Sequence, residues 1–126
     1  MFDDLAEYVD IIKDICYQAS YNAGWWNDKE GKDIRSNPYT FSNKLMLIVS
    51  EISEAMEADR KGLMDDKLPH RKGTEVELAD AIIRICDLAG AYNLRLGEAL
   101  VEKMKFNSIR EDHKLENRNA VGGKSY

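Results

Sequence analysis

Leu45-Met-Leu-Ile-Val-Ser-Glu51-Ile-Ser-Glu54-Ala-Met-Glu-Ala58 and Val76-Glu77-Leu-Ala-Asp80-Ala-Ile-Ile-Arg84-Ile-Cys-Asp-Leu-Ala89 are the two most apolar stretches of the chain, and each carries two acidic residues three positions apart. Positions three apart are neighbours on one helix face. An E-x-x-E and an E-x-x-D separated by 22 residues therefore place two carboxylates on each of two helices. If those helices pack together, the four acids converge into an oxygen-rich site suited to a hard divalent cation such as Mg²⁺. Acting on a phosphate ester is the chemistry such a site favours, because a free polyphosphate is repelled by four carboxylates unless cations bind between them.

The apolar residues around these acids set the expected packing. In the first stretch Leu45, Ile48, Val49, Ile52, Ala55 and Met56 share a face, with Ser50, Glu57 and Lys61 opposite. Glu51 and Glu54 flank the edge of that apolar stripe. Their strip is shared with Leu47 and Ala58 rather than with the basic partners of a solvated acidic face. In the second stretch Leu78, Ile82, Ile85, Cys86 and Ala89 form the main stripe, and Val76, Ala81, Ile83 and Leu88 cover most of the remaining circumference. Such a helix expects burial on nearly every side. Its one polar strip is Glu77, Asp80, Arg84 and Asp87, whose carboxylates need a cation, either Arg84 or a metal. Structural readings exist for single residues: Glu77 stands in a capping-box spacing after Thr74, and Asp80 lies four before Arg84.

Working outward, Phe2, Leu5, Val9, Ile12, Ile15, Cys16 and Ala19 repeat at helical spacing, predicting a first helix that stops near Tyr21. Gly24, Gly31 and Asn37-Pro38 break the chain, so residues 24–43 read as a long loop. A second helix is expected from about Asn43 to Lys61, with Gly62 as a left-handed cap. Thr74 is the expected N-cap of a third helix to about Tyr92, and a fourth begins near Leu96 and reaches at least Arg110. Residues 115–126 are mostly polar and are expected to lack stable structure. No strand is predicted. The 126 residues fit one all-α domain of four long helices, and the heavily apolar third helix makes oligomerisation attractive.

Net charge of −5 argues against nucleic acid as a partner. The acids Asp3, Asp4, Glu7 and Asp10 interrupt the N-terminal apolar residues, unlike a signal peptide, and no apolar run approaches a membrane span, so a cytoplasmic protein without membrane contact is expected. Cys16 and Cys86 sit among aliphatic residues and read as reduced core thiols. His70 reads as an exposed loop residue. A di-iron carboxylate bundle is disfavoured, since neither His70 nor His113 has a glutamate three residues before it.

The fourth helix adds a second clue. Its stripe begins with Leu96 and Leu100 and turns cationic through Lys103, Asn107, Arg110 and Lys114. These cations either snorkel to water and pair with acidic helices or present donors to phosphate oxygens, Arg110 as a bidentate fork and Lys103 as a point charge.

Taken together, Glu51-x-x-Glu54, Glu77-x-x-Asp80 with its Ile-Ile-Arg-Ile-Cys-Asp-Leu-Ala-Gly continuation, and Lys103-x-x-x-Asn107-x-x-Arg110 resemble the MazG-like, all-α nucleoside triphosphate pyrophosphatases over about Lys44 to Lys114. The resemblance implies dimers or tetramers of a four-helix core, Mg²⁺ (with Mn²⁺ as a substitute) held by Glu51, Glu54, Glu77 and Asp80, and hydrolysis of a nucleoside triphosphate substrate between its α- and β-phosphates, in the service of nucleotide-pool control. Arg110-Glu-Asp-His113-Lys114 departs from the basic segment that members often show, so His113 and Lys114 carry less weight than Arg110. Glu51 or Glu54 is the expected catalytic base toward water. Trp25 and Trp26 offer either a flat surface for a base or a hydrophobic plug. The competing reading is a non-catalytic helical module that binds nucleotide or protein.

Overall fold

A computed structural model describes residues 2–126, and it is all-helical, with no strand among the described residues. The order is α1 (Leu5–Asn22), a 3₁₀ turn (Ile34–Ser36), α2 (Thr40–Lys61), α3 (Gly73–Ala91), α4 (Leu96–Ile109), a second 3₁₀ turn (Glu111–His113) and the one-turn α5 (Leu115–Arg118). Among the described residues no helix is long and apolar enough to cross a membrane.

The chain forms two compact units, Ile11–Leu94 and a second made of residues 2–10 with Arg95–Tyr126. The first unit is built on the antiparallel pair α2 and α3. Gly62 ends α2 in the left-handed region (φ 62°, ψ 39°), where its N–H reaches back to the carbonyls of Ala58 and Asp59, as its position after Lys61 predicts. Asp65 is buried and accepts the backbone N–H groups of Lys67 and Leu68 at 3.0 and 2.7 Å, closing the connecting turn. At Gly73 the helices approach so closely that a Cβ would stand 2.8 Å from Ala58 Cβ.

Two helix starts differ from expectation. α2 begins at Thr40 rather than Asn43, because the Thr40 hydroxyl donates to Ile34 O at 2.7 Å and Asn37 Oδ1 accepts from Tyr39 N at 2.9 Å, ordering the chain before the apolar run starts. α3 begins at Gly73 with Lys72 in the cap position, so Thr74 lies inside the helix and makes no cap. Gly73 N donates instead to Leu63 O at 2.9 Å, which anchors the helix start earlier than Thr74 predicts, with the cap at Lys72.

Burial also departs from the expected stripes. Of the α2 stripe only Ala55 is buried, whereas Leu45, Val49, Ile52 and Met56 are exposed; on α3, Leu78, Ile82 and Ile85 are exposed while Ala81, Cys86, Leu88 and Ala89 are buried. The two helices meet along their small residues, so the large aliphatics face outward. The core proper gathers around Trp26, Leu88 and Ala91, with Tyr17, Ile34, Phe41, Ile48 and Tyr92 packed against it. Trp26 and Phe41 both meet Tyr92 edge-on, at centroid distances of 5.9 and 5.0 Å, the arrangement that ring quadrupoles favour. Arg35 pins the long loop to this core: it pairs with Asp33 at 2.7 Å and donates to Tyr17 Oη at 2.8 Å and Ala91 O at 3.2 Å.

In the second unit Asp10 Oδ1 accepts Gly97 N at 3.3 Å. The tail contains α5, and its Lys124 reaches Asp112 at 2.8 Å.

Candidate metal centre

Glu51 and Glu54 on α2 face Glu77 and Asp80 on α3 because each pair occupies consecutive turns of its helix where the two helices touch. Carboxylate oxygens of Glu51, Glu77 and Asp80 all lie within 4.8 Å of one another. Glu54 is solvent-exposed, and its carboxyl reaches those of Glu51 and Glu77. Three of the four acids of the two motifs thus converge, with the exposed Glu54 beside them.

Charge is unbalanced there. Glu51 is buried, and its side chain is 10 % exposed. Burial, the largest single influence, pushes its carboxyl upward, but Arg84, which donates from Nε to Glu51 Oε1 at 2.8 Å, together with the carboxyls of Glu77 and Glu54 holds it below the usual range. Glu77 has no such partner. Its Oε2 is buried with no hydrogen-bond donor, since the groups it faces are carboxylate oxygens, which only accept unless protonated. Burial first, and then the carboxyls of Glu51 and Glu54, push Glu77 up to about 8. Asp80 is pushed up by burial and by the charge of Glu51, with Arg84 pulling the other way and Asp65 adding to the rise.

Such an arrangement without a cation keeps a proton on Glu77. A hard divalent ion fits the donor set on three counts: every ligand atom is an oxygen, three of them already converge, and the buried Glu77 Oε2 is orphaned. Positive charge at this point reverses the upward pressure on Glu77 and Asp80. The sequence offered Arg84 as a helical partner for Asp80; the structure joins it across the helix pair to Glu51 instead.

Further along the same seam the polar strip continues. Lys44 lies seven residues before Glu51, on the same side of α2, and its Nζ sits 4.7 Å over the Trp26 ring. Asp87, one turn after Arg84, accepts the Trp26 indole N–H at 2.8 Å. Trp26 itself is fully buried, so of the two readings of Trp25 and Trp26 the plug describes Trp26, and its indole N–H is satisfied inside the fold. Trp25 is 69 % exposed.

Lys103, Asn107 and Arg110 belong to the other unit. Lys103 Nζ lies 5.0 Å over the Phe106 ring and Arg110 Cζ 5.7 Å from it. Arg110 forks onto Asp112 through Nε at 2.9 Å and Nη2 at 2.7 Å. Asn107 Oδ1 is buried without a donor. Sequence reasoning placed Asp87 in the polar strip of α3 without its Trp26 partner, and passed over Lys44 and Asp65. Lys44 had a legible signal in its two-turn spacing from Glu51, whereas Asp65 sits in a turn whose path no periodicity announces. No family model, no curated protein and no solved structure matches the chain.

Proposed function

We propose that the chain is a Mg²⁺-dependent nucleotide pyrophosphatase of the MazG-like all-α type, converting a nucleoside or deoxynucleoside triphosphate to the monophosphate and pyrophosphate as a cytoplasmic homo-oligomer in nucleotide-pool control. The observation that carries this reading is Glu77: a carboxylate with a buried, donorless oxygen set against two further acids is a ligand set suited to a hard cation.

Glu51, Glu77 and Asp80 would hold the ion, with Glu54 beside them. Bound there, a divalent ion supplies Lewis acidity and offsets the charge of the triphosphate. Glu51, held low by Arg84 against the upward push of burial, is a weak base and would serve as a ligand. Glu54 is the exposed carboxylate of the four, and it takes the proton of the attacking water at a carboxylate oxygen. On α4, Lys103, Asn107 and Arg110 supply donors for phosphate oxygens, and Arg110 has the geometry for a bidentate grip once Asp112 releases it. The exposed Trp25 ring offers a platform for the base. The outward aliphatics of α2 and α3, among them Val49, Ile52 and Ile82, are what a second copy would cover.

Incubation with a panel of canonical, deoxy and modified triphosphates, with Mg²⁺ or Mn²⁺, is expected to yield monophosphate and pyrophosphate from at least one of them. No monophosphate from any substrate would reject the reading. The uncovered aliphatic face equally suits a non-catalytic assembly module. That alternative gains if Glu54→Gln and Asp80→Asn leave the protein's cellular activity unchanged.

A further inference from the structure

We infer that Lys44 and Arg84 form an anion subsite next to the carboxylate cluster, where the phosphate chain of a polyphosphate ligand docks. The inference rests on the function proposed above for its ligand class, but its observations are separate.

Lys44 is half-buried, and burial, the larger influence, pushes its ammonium down, while Asp87 raises it and Arg84 lowers it again. The ring beneath the Lys44 ammonium is that of Trp26, whose indole N–H bonds Asp87 one helical turn after Arg84, so Lys44 and Arg84 lie along the same stretch of the α2–α3 seam. An ammonium carries three donors. Among the described residues none of them meets an acceptor, and the charge rests on the face of Trp26 at 4.7 Å instead. Arg84 is in a similar position: its Nε is committed to Glu51, and no protein acceptor meets its two terminal nitrogens among the described residues. Two cations with unused donors therefore share this stretch of the seam, one of them bonded to a residue of the acidic cluster.

Like charges in one partly buried stretch of seam repel, because burial removes water that would screen them, and a bound anion relieves that repulsion. Asp87 offsets part of the charge, but its Oδ1 already accepts the Trp26 indole N–H. The geometry suits an elongated anion: one end meets the carboxylates through a divalent ion, and the other meets guanidinium and ammonium donors. A polyphosphate has that alternation; a monocarboxylate does not.

The test uses the full-length protein in a Trp25→Phe background, so that Trp26 is the sole indole, with Mg²⁺ and inorganic pyrophosphate as the probe. Binding is followed by Trp26 fluorescence and by calorimetry. Drawing Lys44 from the indole onto pyrophosphate is expected to shift the emission. Lys44→Met is expected to weaken pyrophosphate binding roughly tenfold or more, the size of one charge-assisted hydrogen bond. Mg²⁺ binding without pyrophosphate stays unchanged, and Lys44→Arg restores most of the pyrophosphate affinity. Wild-type affinity in Lys44→Met overturns the subsite. So does a wild-type protein that binds Mg²⁺ but shows neither heat nor emission change with pyrophosphate, a measurement that does not depend on any variant folding. A Lys44-dependent pyrophosphate site in a protein that hydrolyses no triphosphate would leave the subsite standing and remove the proposed activity.

Discussion

Arg84 Nε and Glu51 Oε1 stand 2.8 Å apart across the α2–α3 seam, so the carboxylate most deeply buried in the acidic cluster is held by a cation belonging to the protein itself. Any external ion that takes Glu51 as a ligand must share it with, or take it from, this guanidinium.

Removing that guanidinium is expected to have two effects of opposite sign. Arg84→Gln should lower the stability of the metal-free protein by about 1 kcal/mol, a figure kept small because 39 % of the arginine side chain is exposed and water screens the pair. The same change should tighten Mg²⁺ binding, since the competing cation is gone. Chemical denaturation in chelator and calorimetric titration with Mg²⁺ measure the two. Weaker Mg²⁺ binding in the variant would show that Arg84 helps to shape the ion site rather than contesting it.

Glu77 makes stability depend on pH in a defined direction. Its folded value is raised from 4.5 to about 8, so the folded state holds a proton that the unfolded state releases. The associated stability is complete below 4.5 and is lost as pH rises through about 8. Asp80, also raised, acts with the same sign. Glu51, which is lowered, contributes only at the acid end, where its stabilisation fades as pH falls through its depressed value. In chelator the melting temperature should therefore fall between pH 5 and 8, as a direct consequence of these shifts. Mg²⁺ should restore it most strongly near pH 8. A flat profile in chelator would place the buried Glu77 oxygen in contact with water or a donor.

Glu77→Gln replaces the strained acid by a neutral amide that can donate to Glu51 or Glu54. At pH 8 in chelator the variant should melt higher than the wild type, and added Mg²⁺ should no longer raise its melting temperature. An Mg²⁺ response of wild-type size in Glu77→Gln would remove this residue from the ligand set.

Trp26 is the largest fully buried side chain among the described residues, and its N–H is bonded to Asp87. Trp26→Ala should cost about 3–5 kcal/mol in a denaturant melt, enough to unfold a marginal domain. Trp25→Ala, at an exposed position, should stay within about 0.5 kcal/mol. Equal costs would mean that the long loop is not anchored through Trp26.

Ile82 is 55 % exposed in the single chain. Ile82→Glu in a monomeric protein should change stability by no more than about 0.5 kcal/mol. In the proposed homo-oligomer it buries a charge in the contact, so sedimentation should report dissociation to monomers. Unchanged sedimentation together with unchanged stability would leave that face free.

What the sequence revealed, and what it withheld, follows the range of the interactions involved. Helical spacing located every long helix, and Gly62 announced its left-handed cap, because both are decided by residues within a few positions of one another. The meeting of Glu51 with Glu77 and Asp80 was also legible, since two E-x-x-acid faces on antiparallel neighbours have few other ways to satisfy their charge. Three features were hidden. Thr74 lost the cap to Lys72 because a backbone bond from Gly73 to Leu63, set by the turn, fixes the helix start. Arg84 chose Glu51 over Asp80, a choice between helices that spacing along one of them cannot express. The stripes of Leu45, Val49, Ile52, Leu78 and Ile82 looked like core by periodicity, yet α2 and α3 close on Ala55, Ala58 and Ala81. Periodicity tells which residues avoid water, not whether their cover is the same chain.

The close approach of Gly73 to Ala58 has a consequence at a distance. A methyl group at position 73 would have to fit where Ala58 Cβ already stands 2.8 Å away, with the Leu63 carbonyl oxygen at 3.1 Å. That contact works as a spacer gauge for the hairpin: it fixes how far apart the two helix axes run one turn before Glu77. The span between opposing carboxylates is thus calibrated by two of the smallest residues in the molecule, neither of which carries a charge.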